Sequence, residues 1–477
     1  MPLVAGVDSS TTACKVQVRD ADSGELVSSG RAAHPPTTPP RSEQDPASWL
    51  GAFEAACHQA GVSGANRPAA IAVAGQQHGL VVSDAGGAVL RPAKLWNDTE
   101  SAPDAAALIE ALGSPAAWAE ACGSVPTASF TITKLRWLRR CDPDRFGKVA
   151  SIALPHDWLT SRLTGRRTTD RGDASGTGWW SPAEGRYRTD LLALVDAVMP
   201  WDTMLPEVAG PRDAVGAWDQ VGAVVAPGTG DNMAAALGLG LRPGDVALGL
   251  GTSGTAYCTT DHPVADPSGA VAGFADATGR FLPLVCTLNA TKVTDATARI
   301  LGVSTAGLDA LALDAAPGAG GLVLVPHLDG ERTPNRPEAT GTLHGIRSDV
   351  TRAQLARAAV EGVVCNLLAG ADHIRRLVPG AADGRVLLVG GGAQSRAYRQ
   401  IVADLLGRPI LVPADPELVA RGAALQAAAV LTGRSFGATA DDWATGSTLT
   451  VEPDIGVDRV AVRAAYENVV DASMPSR

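Results

Sequence analysis

The chain of 477 residues is longer than one hydrophobic core usually supports, so we expect two large domains. Its composition is that of an ordinary globular protein, with 45% hydrophobic and 19% charged residues. The formal net charge of −10 argues against nucleic acid or an anionic membrane as the main partner, because both attract basic surfaces.

The cysteines and the N-terminal segment favour a cytoplasmic protein. Seven cysteines are scattered along the chain without a C-x-x-C pair, so neither a zinc site nor a disulfide framework is expected. Asp8 interrupts the first apolar stretch and no basic segment precedes it, which is unlike a signal peptide. The sequence has no run of 18 apolar residues, so we expect no membrane span.

The first eighty residues predict a sheet that continues as alternating strands and helices. Short apolar runs separated by polar turns predict strands over residues 3–7, 14–18, 25–29 and 70–74. Helical spacing of apolar residues predicts a helix over 47–60. A start of this kind indicates a mixed α/β domain.

A second strand and turn of the same kind occurs in mid-chain. The apolar run 246–250 ends in the turn 251–255, just as the first strand ends at Asp8. This repetition predicts a fold duplicated into two lobes, each of which presents a hydroxyl-rich turn to one shared cleft. Pro243 and Gly244 form a plausible boundary. We therefore predict domains over residues 1–243 and 244–477.

The remainder of the chain predicts further helices and one buried strand. Helical spacing covers residues 351–378, 396–406 and 420–432. The strand over 386–389 ends in a glycine turn at 390–393. Residues 438–477 are more polar, and we expect a peripheral helix or a frayed end there.

The glycine- and hydroxyl-rich turns are candidates for a phosphate site. Phosphoryl transfer needs a phosphate cradle, a metal held by a carboxylate and a group that deprotonates the accepting hydroxyl. The turns at 8–12, 251–255 and 390–393 each follow a short apolar strand, and their backbone N–H groups can approach phosphate closely. The Walker A sequence is absent, so a P-loop enzyme is excluded.

Asp8 and Asp231 are the candidate catalytic carboxylates. Asp8 ends a buried-type strand beside Ser and Thr, which suits a ligand of magnesium or of a magnesium-bound water. Asp231 lies in the glycine-rich segment 228–232 at a predicted helix start. A carboxylate there could instead act only as an N-cap, and the sequence leaves this alternative open.

Polar side chains suited to a sugar follow the strand over 70–74. Gln77 and His78 come directly after this strand, and Trp96 and Asp98 lie shortly beyond. Amide, imidazole and carboxylate groups beside an indole suit a polyol, which needs many hydrogen bonds and one apolar wall. A purely structural histidine is the alternative for His78, and a purely structural amide is the alternative for Gln77.

Together these residues resemble the FGGY family of carbohydrate kinases, over about residues 3–435. Two long, gapped patterns carry this resemblance. One covers 129–138 (SFTITKLRWL), and the other begins at 341–346 (GTLHGI) and closes at 358–361 (AAVE).

Within the family, the chain most resembles the members that phosphorylate D-xylulose. The segments that agree with those members are 75–79 (GQQHG), 90–98 (LRPAKLWND), 169–170 (TD), 173–177 (DASGT), 230–232 (GDN), 251–255 (GTSGT) and 330–334 (GERTP). Two positions depart from the usual pattern. Ser10 stands where the first turn commonly has Gly, and Gln77 stands where these members often have Met.

The resemblance implies an α/β fold of two ribonuclease-H-like, actin-like ATPase domains around a central cleft. It implies that ATP, with Mg²⁺, phosphorylates D-xylulose to D-xylulose 5-phosphate. Asp231 would be the general base, and Asp8 would hold the metal and the transferred phosphoryl group. The expected sugar-binding residues are Gln77, His78, Trp96, Asp98 and Asn232. The expected nucleotide-binding residues are Thr11, Thr12, Lys15, Gly251, Thr252, Gly391 and Gly392.

The sequence leaves other functions open. They are a kinase for another ketose or polyol (ribulose, glycerol or deoxyxylulose), a non-catalytic actin-like ATP-binding scaffold, and a sugar-sensing regulator. The pair Asp8 and Asp231 argues against a scaffold, and the acidic balance without a basic helix-turn-helix segment argues against a DNA-binding regulator. The expected partners are sugar and ATP, with neither nucleic acid nor membrane. A homodimer is one open alternative for the oligomeric state.

Overall fold

The computed structural model describes residues 2–444 and 448–472, and the chain forms two compact units. Unit 1 contains the described residues of segments 2–241, 260–282 and 417–444. Unit 2 contains those of segments 242–259, 283–416 and 448–472. The first change of unit falls close to the predicted boundary at residue 243, which itself stays a prediction, and two later segments return to unit 1.

The secondary structure alternates short strands with helices. The strands are β1 (Leu3–Ser9), β2 (Ala13–Asp20), β3 (Leu26–Ala33), β4 (Glu43–Gln44), β5 (Ala70–Gly75), β6 (Val81–Ser83), β7 (Ala93–Lys94), β8 (Ser151–Ala153), β9 (Thr168–Asp170), β10 (Trp180–Ser181), β11 (Arg186–Tyr187), β12 (Glu207–Ala209), β13 (Gly216–Trp218), β14 (Ala223–Val225), β15 (Thr229–Gly230), β16 (Val246–Leu250), β17 (Gly254–Cys258), β18 (Ala272–Ala275), β19 (Phe281–Thr287), β20 (Val323–Val325), β21 (Thr342–His344), β22 (Val386–Val389), β23 (Ile410–Pro413) and β24 (Thr448–Val451). The α-helices are α1 (Pro46–Ala60), α2 (Ala102–Leu112), α3 (Pro115–Cys122), α4 (Thr131–Cys141), α5 (Pro143–Phe146), α6 (Pro155–Thr164), α7 (Arg171–Ala174), α8 (Thr189–Ala193), α9 (Trp201–Met204), α10 (Asp231–Gly238), α11 (Thr291–Leu301), α12 (Thr305–Asp314), α13 (Arg352–Leu377), α14 (Arg396–Leu406), α15 (Leu418–Thr432), α16 (Phe436–Asp442) and α17 (Arg459–Ala472). Short 3-10 helices cover Ala319–Gly321 and Gly391–Gln394.

Strand β1 is central in the sheet of unit 1 and sets the position of Asp8. It pairs antiparallel with β2 and parallel with β5, within the strand order β13-β14-β5-β1-β2-β3. The short strand β15 also pairs with β5, with Gly230 opposite Gly75. The predicted sequence of strands, followed by strand and helix in alternation, is confirmed.

Local capping signals explain why α1 begins and ends where it does. The carboxylate of Asp45 accepts a hydrogen bond from the N–H of Ala47, and Pro46 occupies the first turn, where its missing N–H is not needed. Gly61 ends the helix at φ 71°, a conformation that glycine adopts readily. The helix predicted over 47–60 is therefore confirmed.

Helix α15 lies against β1 in unit 1 and needs a glycine to do so. A Cβ at Gly6 would lie 1.9 Å from the carbonyl oxygen of Ala420 and 2.8 Å from the Cβ of Ala424. Glycine therefore permits this close approach of helix and strand. The sequence predicts this helix, over 420–432, within the C-terminal domain, but the chain returns it to unit 1.

In the sheet of unit 2, as in that of unit 1, a central strand has an antiparallel neighbour on one side and a parallel neighbour on the other. Strand β16 pairs antiparallel with β17 and parallel with β22, within the order β19-β17-β16-β22-β23-β24. The predicted helices over 351–378 and 396–406 are confirmed as α13 and α14, and the predicted strand over 386–389 is β22.

The last part of the chain is more ordered than a single peripheral helix. Of the predicted helix or frayed end over 438–477, the structure shows part of α16, then β24 and α17. Residues 445–447 and 473–477 lie outside the described residues. Across the described ranges, no single helix has the length and apolar composition of a membrane span, although α11 and α12, bent by 89°, pass that test as a pair.

Candidate active site

Three strand ends of unit 1 bring the candidate residues to one edge of its sheet. β1 ends at Asp8 and Ser9, β5 leads into Gln77, and β15 leads into Asp231. β1 and β15 both run parallel to β5, with Asp8 opposite Ala74. Because the carboxyl ends of parallel strands meet at one edge, residues that are more than 200 positions apart become neighbours.

Asp8 is a buried carboxylate with one oxygen still available. Its side chain lies opposite Lys15 in the β1–β2 hairpin, and its Oδ2 is 3.6 Å from the Lys15 ammonium. Its Oδ1 is buried without a hydrogen-bond partner among the described residues. Burial raises the pKa of Asp8 to about 6, with Lys15 opposing and Glu417 adding to the increase. A group of this kind is suited to bind a cation.

Lys15 already has a partner from a distant part of unit 1. Its ammonium donates to Oε2 of Glu417 at 2.6 Å, and Glu417 directly precedes α15. Sequence reasoning missed Glu417, since 402 positions separate it from Lys15. The predicted contact of Lys15 with the nucleotide stays a prediction.

Asp231 is the first residue of α10, and it does not cap this helix. Gly230 occupies the N-cap position, and Oδ1 of Asp231 accepts hydrogen bonds from the N–H and the Nδ2 of Asn232, at 2.8 and 2.9 Å. Burial raises the pKa of Asp231 to about 7, and the charges of Asp8 and Asp173 add to the increase. The carboxyl group can therefore take up and release a proton near neutral pH.

Gln77 and Asn232 form a pair of amides beside Asp231. The Nδ2 of Asn232 donates to Oε1 of Gln77 at 2.9 Å. Gln77 is 4% exposed, and its Nε2 has no hydrogen-bond partner in the part of the chain that the structure describes. The Gln77 oxygen thus accepts from a side chain, and its amide nitrogen retains a donor for another group.

His78 is held in an unusual backbone conformation beside this pair. Its φ is 65°, which a residue with a side chain adopts at a cost. Its Nδ1 lies 2.7 Å from the carbonyl oxygen of Gly176, and its ring stacks on Phe130 with centroids 5.0 Å apart. Because a carbonyl only accepts hydrogen bonds, Nδ1 carries the proton, which leaves Nε2 as the acceptor in the neutral ring.

Trp96 and Thr11 join the sugar candidates to the first turn. The Nε1 of Trp96 donates to Oγ1 of Thr11 at 2.9 Å, and that hydroxyl donates to Oε1 of Gln76 at 3.0 Å. Thr12 next to it is exposed. The structure therefore places Trp96 against the turn that the sequence predicts to bind phosphate.

Asp98 is part of a buried ion cluster. Its Oδ2 is 2.9 Å from the ammonium of Lys94, which also lies 2.5 Å from Glu100 and 3.1 Å from Glu43. The three carboxylates lie close enough together to hold a metal ion, but the Lys94 ammonium contacts all of them. These contacts indicate a structural role for Asp98, and its predicted contact with the sugar stays a prediction.

In unit 2, the two glycine turns lie at one edge of the sheet. They follow β16 and β22, which run parallel with Gly249 opposite Val389. A Cβ at Gly390 would lie 2.7 Å from the carbonyl oxygen of Leu250, whereas one at Gly391 would meet nothing within 4 Å. The first contact explains the tight turn, and the second shows an open backbone that another molecule can approach.

The other predicted residues of these turns also lie at this edge. Thr252 and Gly251 are exposed, and their carbonyl oxygens accept from the N–H groups of Ala290 and Thr291 at the start of α11. Gly392 is packed against Leu250. Their predicted contacts with the nucleotide stay predictions.

Comparison with known proteins agrees with this arrangement. The model of the N-terminal domain of the FGGY family of carbohydrate kinases matches residues 3–238, and that of the C-terminal domain matches residues 246–431. The chain belongs to this family.

Several relatives are similar to this FGGY kinase over nearly its whole length. It is 50% identical to the xylulose kinase of Streptomyces coelicolor, over 94% of this chain and 92% of that protein. It is 48% identical to the xylulose kinase of Streptomyces rubiginosus, with the same coverage. Among solved structures, that of the xylulose kinase from Bifidobacterium adolescentis is 43% identical, with a TM-score of 0.86 and coverage of 98% of this chain and 99% of that chain.

These matches confirm three of the predictions. The chain is a sugar kinase of the FGGY family, and its fold class is α/β with two ribonuclease-H-like domains of the actin-like ATPase type. Besides Glu417, sequence reasoning missed a buried group around His156, although two of its aspartates, Asp170 and Asp173, lie in segments that carry the resemblance.

Proposed function

We propose that this kinase transfers the γ-phosphoryl group of ATP to D-xylulose and forms D-xylulose 5-phosphate. The observation that carries the proposal is the group of Asp231, Asn232 and Gln77 at one sheet edge, in a chain that is 50% identical to a xylulose kinase. A proton acceptor beside two amides is what phosphorylation of a polyhydroxylated substrate requires.

Asp231 is the proposed general base. The substrate hydroxyl oxygen attacks the γ-phosphorus, its proton passes to the Asp231 carboxylate, and the bond from the γ-phosphorus to the bridging oxygen breaks to release ADP. A base with a pKa of about 7 is mostly ionised above neutral pH and can still hold the proton that it receives.

Asp8 is the proposed residue for Mg²⁺. Its buried Oδ1 without a partner among the described residues offers the hard oxygen ligand that this ion prefers. Magnesium, when bound, would neutralise charge on the phosphates. The ammonium of Lys15, 3.6 Å from Oδ2 of Asp8, would add a positive charge to that of the metal beside this carboxylate.

The remaining proposed contacts divide between sugar and nucleotide. Gln77 and Asn232 would bind hydroxyl groups, His78 would accept one through Nε2, and Trp96 would form an apolar wall. Asp98 is also predicted to bind the sugar, and this stays a prediction because its carboxylate pairs with Lys94. The proposed nucleotide contacts are Thr11, Thr12, Lys15, Gly251, Thr252, Gly391 and Gly392.

A substrate panel tests the proposal. ADP release would be coupled to a spectrophotometric assay with D-xylulose, ribulose, rhamnulose, fuculose, gluconate and glycerol. We expect the highest kcat/KM with D-xylulose. A higher kcat/KM with any other compound would assign this kinase to that substrate.

We also propose that the enzyme works in the cytoplasm. None of the seven cysteines, all within the described residues, forms a disulfide, and six of them are buried, as expected for a reducing compartment. Fractionation of the producing cells tests this, with activity expected in the soluble fraction. A homodimer stays a prediction, which light scattering of the purified protein would test.

A further inference from the structure

One histidine and three aspartates form a buried group in unit 1, which we call the His156 cluster (His156, Asp157, Asp170 and Asp173). None of the four is more than 2% exposed. The Nδ1 of His156 lies 2.8 Å from Oδ2 of Asp173. Its Nε2 lies 3.2 Å from Asp157 and 3.6 Å from Asp170, which are ion-pair distances.

The imidazole lies beneath the strand ends that carry the candidate active site. A Cβ at Gly75, the last residue of β5, would lie 3.1 Å from the Cβ of His156. A Cβ at Gly228, just before β15, would lie 2.9 Å from its Cδ2. His156 thus packs against the backbone of both segments, through its Cβ on the segment that leads to Gln77 and through its ring on the segment that leads to Asp231.

Two carboxylates of the cluster extend to these same segments. Oδ2 of Asp170 accepts from the hydroxyl of Thr229 at 2.7 Å, and Thr229 lies two positions before Asp231. Asp173 accepts a hydrogen bond from the backbone of His78. The cluster is therefore hydrogen-bonded to the segment that carries the proposed base, Asp231, and to the backbone of a proposed sugar ligand, His78.

The charges around His156 determine the protonation state of its ring. The charged groups that face His156 are Asp157 from its own helix, and Asp170 and Asp173 from the end of β9 and from α7, while the strand ends contribute glycines. Burial alone would lower the pKa of His156, but the three carboxylates raise it to about 9. The ring is thus an imidazolium at neutral pH, and it compensates carboxylates that would otherwise be costly to bury.

We propose that His156 is a positioning residue: its protonated ring holds Asp170 and Asp173 in place, and these two carboxylates align the segments that carry Asp231 and His78. The inference rests on the proposed roles of Asp231 and His78 in phosphoryl transfer. Small displacements of reacting groups are costly, since about 1 Å can lower a rate by roughly 100-fold.

The test compares variants of His156 that differ in charge. His156→Gln should lower kcat/KM for D-xylulose by about 10- to 100-fold. It should leave the Kd for ADP, measured by calorimetry, within about twofold of wild type, since the cluster contacts the segments of Asp231 and His78, which are proposed to act on the sugar. His156→Lys, which restores a cation, should recover a large part of the loss. His58→Gln, the same change at an exposed position of α1, is the control and should be silent.

A second pair of variants keeps the test decisive if the His156 variants fail to fold. Thr229→Val removes the hydroxyl that binds Asp170 at nearly constant volume, and Thr229→Ser keeps it. We expect Thr229→Val to lose at least about fivefold more kcat than Thr229→Ser, which corresponds to one hydrogen bond of about 1 kcal/mol.

Three results would overturn the inference: a folded His156→Gln with wild-type kcat/KM, equal losses for His156→Gln and His156→Lys, or equal kcat for the two Thr229 variants. The Asp231→Asn variant separates this inference from the proposed function. If Asp231→Asn is inactive and His156→Gln is not, only the role of His156 is wrong. If Asp231→Asn is active, the proposed base is wrong.

Discussion

Replacing Asp231 with Asn tests the proposed base through two effects of opposite sign. The amide keeps the size of the carboxylate and can still bond to Asn232, but it cannot accept the proton of the substrate hydroxyl. Loss of a general base typically lowers the rate by about 10²- to 10⁴-fold, so kcat should fall by this factor. The KM values for D-xylulose and ATP should change little.

The second effect is on stability and follows from the pKa of Asp231. An increase from the ordinary 3.8 to about 7 corresponds to roughly 4 kcal/mol, at about 1.36 kcal/mol for each pKa unit. Because the pKa is higher in the folded than in the unfolded state, the contribution of Asp231 to the free energy of unfolding is fully present below pH 3.8 and is lost as the pH rises to about 7. Asn does not ionise, so Asp231→Asn should be more stable than wild type at pH 8, and the gain should shrink at pH 5.

Thermal unfolding and steady-state kinetics measure the two effects on the same samples. We expect up to about 4 kcal/mol of stabilisation at pH 8, or about 2 to 4 °C in Tm for each kcal/mol. For wild type, kcat/KM should fall by about tenfold for each pH unit below about 7. Asp202→Asn, at an exposed position in the first turn of α9, is the matched control and should change neither quantity. Near wild-type turnover of Asp231→Asn would refute the assignment.

Three further predictions concern the metal, the sugar and the sheet. Asp8→Ala should lower kcat at saturating ATP, and full recovery at high magnesium would contradict a direct role of Asp8 in the reaction. Gln77→Met should keep activity on D-xylulose but reduce discrimination against deoxypentuloses. In wild type, an analogue that lacks the hydroxyl leaves the buried Nε2 of Gln77 unpaired, and the methionine side chain has no such donor. An unchanged ratio of kcat/KM values would assign Gln77 a structural role. In urea unfolding, Gly6→Ala should destabilise the protein by about 1 to 3 kcal/mol, since the added Cβ meets the backbone of α15. Gly51→Ala in α1 is the control: its added Cβ meets nothing within 4 Å, so it should stabilise the protein by up to about 1 kcal/mol.

Local signals in the sequence determined the elements and the chemistry at their ends. The apolar run that ends at Asp8 is β1, and the spacing of apolar residues over 47–60 is α1, because strand and helix periods are properties of neighbouring residues. Asp8 and Asp231 could also be chosen from the sequence, because Asp8 ends an apolar strand and Asp231 lies in a glycine-rich segment at a helix start. The fold class and the kinase family followed from these segments.

Partners far apart in the chain were decided only by tertiary packing. Lys15 meets Glu417 because α15 returns to unit 1 and covers β1, an approach that Gly6 allows. Asp98 looks like a sugar ligand beside Trp96, yet Lys94 holds it in an ion cluster. The His156 cluster has no periodic signal, because its members come from α6, β9 and α7 and become neighbours only when these elements fold onto one another. Periodicity encodes which face of an element is apolar, whereas the burial and pairing of charges depend on which elements meet, and packing alone determines that.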